Sequence, residues 1–214
     1  MKIGLLVLLT LLVACSTQQV PSSGGITGAP AVITALEGNV TVNGDPAREK
    51  MPLNVGDRIM TGADSEVTIV LYDSSRLQLW DDTTLVIRAL DDNPRAVDIE
   101  QTSGEIWGRV LHASRLSRLR VTTPDAVATV RGTGFWVAYR NGTTGVGVTD
   151  GIVAVQHVEH GNVLRERLVQ KEEQVFVDGP MTVEPLVHDE FIDENLENDK
   201  EFIAAVREKF GDET

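Results

Sequence analysis

The stretch TVRGTGFWV, residues 129–137, places two glycines and an arginine inside a run that otherwise favours a buried strand. Glycine in a strand interior loses conformational entropy and packs nothing, so it usually marks a bulge or a close approach of two backbone segments. Upstream, Pro124 has a fixed φ and no N–H to donate, which is typical of a strand that starts at a sheet edge or corner. We interpret the stretch as a corner, with Gly132 and Gly134 letting the chain pass from one layer of strands to the next.

The polar residues of this corner allow two interpretations. Arg131 carries five N–H donors and Thr133 a hydroxyl, and both can bond to carbonyl or carboxylate groups that a broken strand ladder leaves without a partner. In the alternative, Arg131 is a ligand-binding cation in a groove. We prefer the structural role for Arg131, Gly132 and Thr133, and we expect Phe135 to lie in the apolar strand that follows.

The rest of the chain favours an all-β domain. Valine is abundant and aromatic residues make up only 5% of the 214 residues, which is typical of strands built from branched side chains. From Ala31 onward, short alternating runs such as EVTIVLY and RLQLW follow one another with turn residues between them, and no helical period begins before residue 188. We expect a twisted sandwich or solenoid-like domain of short antiparallel strands over residues 31–187.

A weak internal echo runs through this region. Gly38, Gly104 and Gly151 each precede a strand-like run with the spacing Gly-x-(Val/Ile). The intervals are too irregular for a strict solenoid repeat, so a reused hairpin unit and chance similarity both remain open.

The amino terminus resembles a lipoprotein signal peptide. Lys2 is followed by an apolar run from Gly4 to Ala14, which is too short to span a bilayer but suits the apolar region of a secretory signal. The run ends directly before Cys15, as in the bacterial lipobox, and this fits the position better than a buried structural thiol. We expect cleavage after residue 14, lipid on Cys15, and a flexible Gly/Ser/Pro-rich tether over residues 15–30.

The lipobox predicts where the protein is located. Cys15 is the only cysteine, so its acylation excludes a disulfide. We expect the chain at the periplasmic face of a bacterial membrane. Because Ser16 stands where an aspartate would retain a lipoprotein at the inner membrane, we favour the outer membrane.

Charge and motifs exclude several classes of function. A net charge of -13 repels phosphate backbones, which argues against nucleic acid as a partner. His157 and His160 on a strand would point to opposite faces, which is poor zinc geometry, and no G-x-S-x-G motif is present. We therefore expect no enzyme activity, no metal and no cofactor.

Two surface features could bind a partner or ligand. Arg115, Arg118 and Arg120 gather within residues 112–120 of an otherwise acidic chain, either as an anion-binding patch or as a solvated loop. If two of the three tryptophans (Trp80, Trp107 and Trp136) were exposed together, they could form a sugar-stacking platform, although tryptophans on strands more often belong to a core.

The carboxyl-terminal residues 188–214 have a different composition, with ten acidic and three basic residues. Asn198 and Glu201 resemble a capping box, which predicts a helix over residues 199–210. Phe202, Val206 and Phe210 would form its apolar stripe. That stripe either packs on the β-domain or docks on a partner.

Three elements together resemble the FecR-like periplasmic domain family. They are TTPDAVATVRGTGFWVAY at 122–139, VGDRIMTGADSEVTIVLYD at 55–73 and TDGIVAV at 149–155. Asp73-Ser74 and Lys171-Glu172 depart from the pattern, because the family places a glycine at each of these turns. The family's signalling members also carry a cytoplasmic helical module that holds a sigma factor, and a membrane-spanning helix. With a lipobox near residue 1, we do not expect a complete transmembrane anti-sigma regulator.

The resemblance implies a non-enzymatic cell-envelope lipoprotein whose β-domain binds a protein partner or a ligand. One alternative is the sensor component of a split signalling system, with the anti-sigma part on another polypeptide. The other alternative is a protein that binds cell-wall glycan.

Overall fold

A computed structural model of the protein describes residues 28–111, 116–177, 180–188 and 190–210, the last range without the side chains of Glu190, Lys209 and Phe210. The expected signal peptide, Cys15, most of the tether and Arg115 lie outside the described residues. The described strands are β1 (Ala31–Glu37), β2 (Val40–Val42), β3 (Asp45–Pro46), β4 (Arg58–Thr61), β5 (Glu66–Leu71), β6 (Ser75–Leu79), β7 (Thr84–Asp92), β8 (Arg95–Val110), β9 (Leu116–Thr122), β10 (Ala126–Val130), β11 (Gly134–Arg140), β12 (Thr143–Asp150), β13 (Ile152–Glu159), β14 (Asn162–Gln170), β15 (Glu173–Phe176) and β16 (Val183–Pro185). The described helix is α1 (Glu190–Phe210).

The strands form two sheets that share the long strand β8. Sheet 1 has the order β1-β5-β6-β8-β11-β12-β15-β16, and sheet 2 has the order β3-β2-β4-β7-β8-β9-β10-β13-β14. The first half of β8 pairs in sheet 2 and its second half in sheet 1. Apart from the parallel pair β8–β9, every pairing of these described strands is antiparallel.

The chain alternates between the two sheets as it advances. Strand numbers rise along sheet 1 and, after the β2–β3 hairpin, along sheet 2 as well. One hydrophobic cluster joins residues of both sheets, including Ile69 and Leu77 of sheet 1 with Leu85 and Val97 of sheet 2. The all-β prediction is confirmed. The fold is a sandwich whose strands follow one another in solenoid-like succession.

The corner predicted at residues 129–137 is confirmed. Strand β10 pairs in sheet 2, strand β11 pairs in sheet 1, and Gly132 between them has a φ of 68°. The three Gly-x-(Val/Ile) openings have the same explanation. Gly38, Gly104 and Gly151 all have positive φ and stand where the chain leaves one sheet for the other. The echo in the sequence therefore marks sheet crossings.

Helix α1 begins nine residues before the predicted start at residue 199, so the capping-box interpretation of Asn198 is wrong. No glycine or proline interrupts residues 190–198. The face that packs on sheet 1 carries Ile192 with the polar residues Asn195 and Asp199, all three buried. Because two polar residues sit on the buried face, the first half of the helix shows no continuous apolar stripe in the sequence.

The predicted stripe is found only in part. Val206 is buried and Phe202 is half-buried, whereas the side chain of Phe210 lies outside the described residues. Within the described parts of the chain, no helix combines the length and the apolar character that crossing a bilayer requires.

Candidate functional site

The structure separates the residues of the corner into different roles. Arg131 is exposed, and it has no side-chain hydrogen bond or ion pair to another described residue. Thr133 is fully buried, yet its hydroxyl has no described partner. The expectation that these two side chains bond to freed backbone carbonyls or a carboxylate is therefore wrong for the described chain. Gly132, with its positive φ, is the residue of this motif that adopts the special backbone conformation at the bend.

We expect Arg131→Ala to leave stability unchanged within about 0.5 kcal/mol, as for surface substitutions away from special contacts. Thermal unfolding followed by circular dichroism measures the effect. Arg109→Ala is the control. Because Arg109 donates to Asp150 at 2.9 Å, its removal should lower the stability of the fold. A loss at Arg131 as large as that at Arg109 would contradict the assignment.

Phe135 and Gly134 serve packing at the same corner. Phe135 is fully buried, and a Cβ at Gly108 would lie 2.2 Å from its ring. A Cβ at Gly134 would lie 2.6 Å from the Thr149 hydroxyl and 2.7 Å from an Arg109 nitrogen. The motif thus makes room for neighbouring side chains.

The arginine patch is neutralised in part. Arg118 and Arg120 project from β9 and both face Asp98, with N–O distances of 3.3 and 3.6 Å. Since both guanidinium groups share one carboxylate, the described part of the patch carries one excess positive charge. Arg115 lies outside the described residues.

The face of sheet 1 beneath α1 holds an ion pair that is more buried than any other ion pair among the described residues. Arg76 of β6 donates to Asp199 of α1 at 3.0 Å, and their side chains are 9% and 4% exposed. The indole N–H of Trp107 donates to the second oxygen of the same carboxylate at 3.1 Å. Burial raises the pKa of Asp199 above its ordinary value, against the opposing effect of Arg76 and Arg109. Burial likewise lowers the pKa of Arg76.

Aromatic side chains surround this ion pair. Phe191 of α1 meets Trp80 and Trp107 edge-on, with ring centroids 5.1 and 6.0 Å apart. The Arg76 guanidinium lies 6.0 Å from the ring centroid of Phe202. Trp107, Trp136, Leu186 and Ile192 form a hydrophobic cluster that is distinct from the core between the sheets. We call this surface the helix-covered face, defined by Arg76, Trp80, Trp107, Trp136 and Leu186.

Some polar atoms at the contact between α1 and this face have no hydrogen-bond partner among the described atoms. The Arg76 Nε, the Trp136 Nε1 and the Asn195 Oδ1 are buried without a partner among the described atoms. A cavity of about 260 Å³ opens beside the amino-terminal end of α1. Its lining residues are Glu105, Trp136, Gln174, Phe176, Val187, Phe191 and Ile192.

Sequence reasoning missed the helix-covered face. The sequence holds two signals of it: Ile192, Asn195 and Asp199 lie at helical spacing, and Trp107 and Trp136 lie on strands whose other faces are core. Neither signal identifies Arg76 as the partner of Asp199. The tryptophans form no exposed platform, because Trp107 and Trp136 are buried.

His188 holds the start of α1. Its two ring nitrogens lie 2.7 Å from Glu172 and 3.2 Å from Asp193. The hydrogen bond to Glu172, and then that to Asp193, raises the pKa of His188 above its ordinary value. A raised folded-state pKa stabilises the fold below the unfolded pKa of about 6.5, and this contribution is lost as pH rises through the folded value.

We therefore expect the wild-type chain to lose stability between pH 6 and pH 8, by less than about 1 kcal/mol because the pairs are exposed. His188→Gln should lose this part of the pH dependence. Thermal unfolding of both chains at the two pH values measures it, and an unchanged slope in the variant would show that His188 does not contribute.

Among the residues that the structure describes, no group of three or more His, Cys, Asp or Glu side chains could hold a metal ion. In the described chain, the helix-covered face is a surface on which helix α1 packs. Strands β6, β8 and β11 of sheet 1 carry Arg76, Trp107 and Trp136 of this face.

Residues 57–154 match the FecR protein family. This FecR segment runs from the start of β4 into β13 and includes the corner at residues 129–137. Strands β14 to β16 and helix α1 lie beyond it. A search of the curated proteins finds no match.

Two solved structures are similar to the chain, both crystal structures of a proposed anti-sigma factor from Parabacteroides distasonis ATCC 8503. They share 20% and 18% sequence identity with this chain, with TM-scores of 0.48 and 0.49. Each alignment covers 62% of this chain and 60% of the other. The chain thus matches less than two thirds of the length of these proteins.

Proposed function

We propose that this protein is a non-enzymatic cell-envelope lipoprotein that works in FecR-type signalling by binding a protein partner. The observation that carries the proposal is the FecR segment, which contributes strands to both sheets and contains the layer-changing corner. The proposal also assigns each segment of the chain: residues 1–14 are a signal peptide and residues 15–30 are a lipidated tether. Residues 31–187 are then the binding domain and residues 188–214 an acidic helical tail.

Within this proposal, the chain is the sensor component and the sigma-factor-binding part is on another polypeptide. The strong negative charge and the anchor on Cys15 favour a protein of the envelope as partner over nucleic acid. The glycan-binding alternative loses its main support, because Trp107 and Trp136 are buried beneath α1.

Photo-crosslinking in the native envelope tests the partner. A crosslinking amino acid replaces Val187, which is 64% exposed beside the helix-covered face, and a control chain carries it at Asp45 in the short strand β3. We expect one discrete protein adduct from position 187 and a different pattern from position 45. Retention of the protein on purified wall glycan, with no protein adduct from either position, would contradict the proposal.

The anchor has its own test. We expect Cys15→Ser to leave the protein unprocessed and free of acyl chains, since the cysteine thiol is the acceptor of the lipid in a lipobox. Metabolic labelling with a clickable fatty acid, read out on a gel, should label the wild-type chain and not the Cys15→Ser chain. Ser16→Ala is the matched control and should keep the label. Equal labelling of the Cys15→Ser chain would contradict the lipoprotein assignment.

A further inference from the structure

Helix α1 is attached to the β-domain without being part of its core. The hydrophobic cluster beneath the helix does not merge with the cluster between the two sheets. The helix follows β16 after a short link, and it lies outside the FecR segment. Release of α1 would therefore expose the helix-covered face while the sandwich core stays closed.

The polar groups in the contact lower the free energy needed to separate α1 from sheet 1, compared with a purely apolar contact of the same area. Separating α1 from sheet 1 returns the charges of Arg76 and Asp199 to water, and a buried ion pair contributes little net stability once desolvation is counted. It also hydrates the Arg76 Nε and the Asn195 Oδ1, which are buried without a partner among the described atoms.

The docked helix shows what the face recognises. Asp199 provides a carboxylate to Arg76 and Trp107. About two turns earlier, Phe191 packs against Trp80 and Trp107, and in the turn after the carboxylate, Phe202 lies near Arg76. The exposed side of the helix is acidic. Its buried side combines apolar and aromatic residues with one amide, Asn195, and one carboxylate, Asp199.

We propose that the helix-covered face is a docking surface for an acidic amphipathic helix of a partner protein, and that α1 is its intramolecular occupant. The partner helix presents a carboxylate to Arg76, with aromatic residues on either side of it. It binds by displacing α1, in the manner of a helix laid into a groove. This inference concerns a surface of the chain itself and does not depend on the identity of the envelope partner.

The test uses the full chain in nonionic detergent and a fluorescently labelled peptide of residues 188–214 as the probe. In the Asp199→Lys chain, Arg76 and Arg109 repel the chain's own helix, so the face should open to the wild-type peptide. We expect this chain to bind the peptide at least about tenfold more tightly than the wild-type chain does, measured by fluorescence anisotropy. The Glu201→Lys chain makes the same charge change on the exposed side of α1 and should bind like the wild type.

Two peptide controls make the result specific. A peptide carrying the Asp199→Lys change and a scrambled peptide of the same composition should both fail to bind. Equal binding of the scrambled peptide would overturn the proposal. So would an Asp199→Lys chain that keeps its β-sheet circular dichroism but binds no more tightly than the wild type.

Hydrogen exchange of the unmodified chain provides a second measurement, which does not depend on the folding of a variant. We expect the amides of α1 to exchange at least about tenfold faster than those of β11, because the helix opens without the core. Exchange of both elements at one common rate, set by global unfolding, would overturn the proposal.

Discussion

Gly104→Ala is expected to lower the free energy of unfolding by about 3–5 kcal/mol, among the largest effects of a single methyl group in this fold. Gly104 has a φ of 82° at the point where β8 changes sheet. A Cβ there would lie 2.2 Å from the Thr83 hydroxyl oxygen and 2.4 Å from the Thr83 Cα. Because the second atom belongs to the backbone, a rotamer change of Thr83 cannot relieve the contact.

Movement of Thr83 would also break hydrogen bonds at this crossing. The Thr83 hydroxyl accepts from the Glu105 N–H at 2.9 Å and lies 3.1 Å from the Glu105 carbonyl, to which it donates. The Thr83 N–H donates to the Thr61 hydroxyl at 3.0 Å. One displaced residue therefore loosens the junction of β4, β7 and β8.

Gly142→Ala is the matched control for Gly104→Ala. Gly142 has nearly the same φ, 79°, but a Cβ there would meet nothing within 4 Å. Its substitution should show only the left-handed backbone penalty of about 1–2 kcal/mol. Chemical denaturation of both variants separates the backbone penalty from the steric clash. Equal losses of unfolding free energy in the two variants would contradict the steric argument at Gly104.

The corner and the all-β class could be predicted because they depend on local rules. Glycine within an apolar run signals a special backbone conformation whatever its distant neighbours are, and alternation signals strands. The two departures from the FecR-like pattern differ in backbone conformation. At the second departure, Glu172 has a φ of 63°, which is the conformation that a glycine would favour. At the first departure, the family's glycine corresponds to Ser74, and the positive φ values belong instead to Tyr72 and Asp73 just before it.

The role of Arg131 and the start of α1 could not be predicted, because each depends on distant parts of the chain. Whether an arginine at a corner finds an acceptor is decided by the strands that surround it. The helix starts at Glu190 because its polar residues Asn195 and Asp199 face sheet 1, and a count of apolar spacing treats such residues as solvent-exposed.

The ion pair beneath the helix is the clearest case of this limit. Arg76 and Asp199 are 123 positions apart, and neither residue lies in a motif. Charged side chains in an acidic chain are expected at the surface, and only the succession of hairpins brings β6 under the last helix. A buried pair of this kind can be found only when the fold is in hand.

The second large effect is expected at this pair. Asp199→Ala leaves the Arg76 guanidinium without its carboxylate beneath α1, and removal of one partner from a buried ion pair typically destabilises by about 3–5 kcal/mol. The chain can limit this penalty by releasing α1, which exposes Arg76 to water. We therefore expect protection of the α1 amides against hydrogen exchange to fall by about 100-fold, while protection of β11 falls much less.

Two further variants identify the cause. Asp199→Asn keeps an acceptor for Arg76 and Trp107 without the charge. Since burial already raises the pKa of Asp199 and so favours its neutral form, this change should be milder than Asp199→Ala. The double variant Arg76→Met with Asp199→Leu replaces the pair by apolar side chains of similar size and should restore helix protection to near the wild-type level. If the double variant lost as much protection as Asp199→Ala, the loss would come from altered packing beneath the helix, because no unpaired charge is left to account for it.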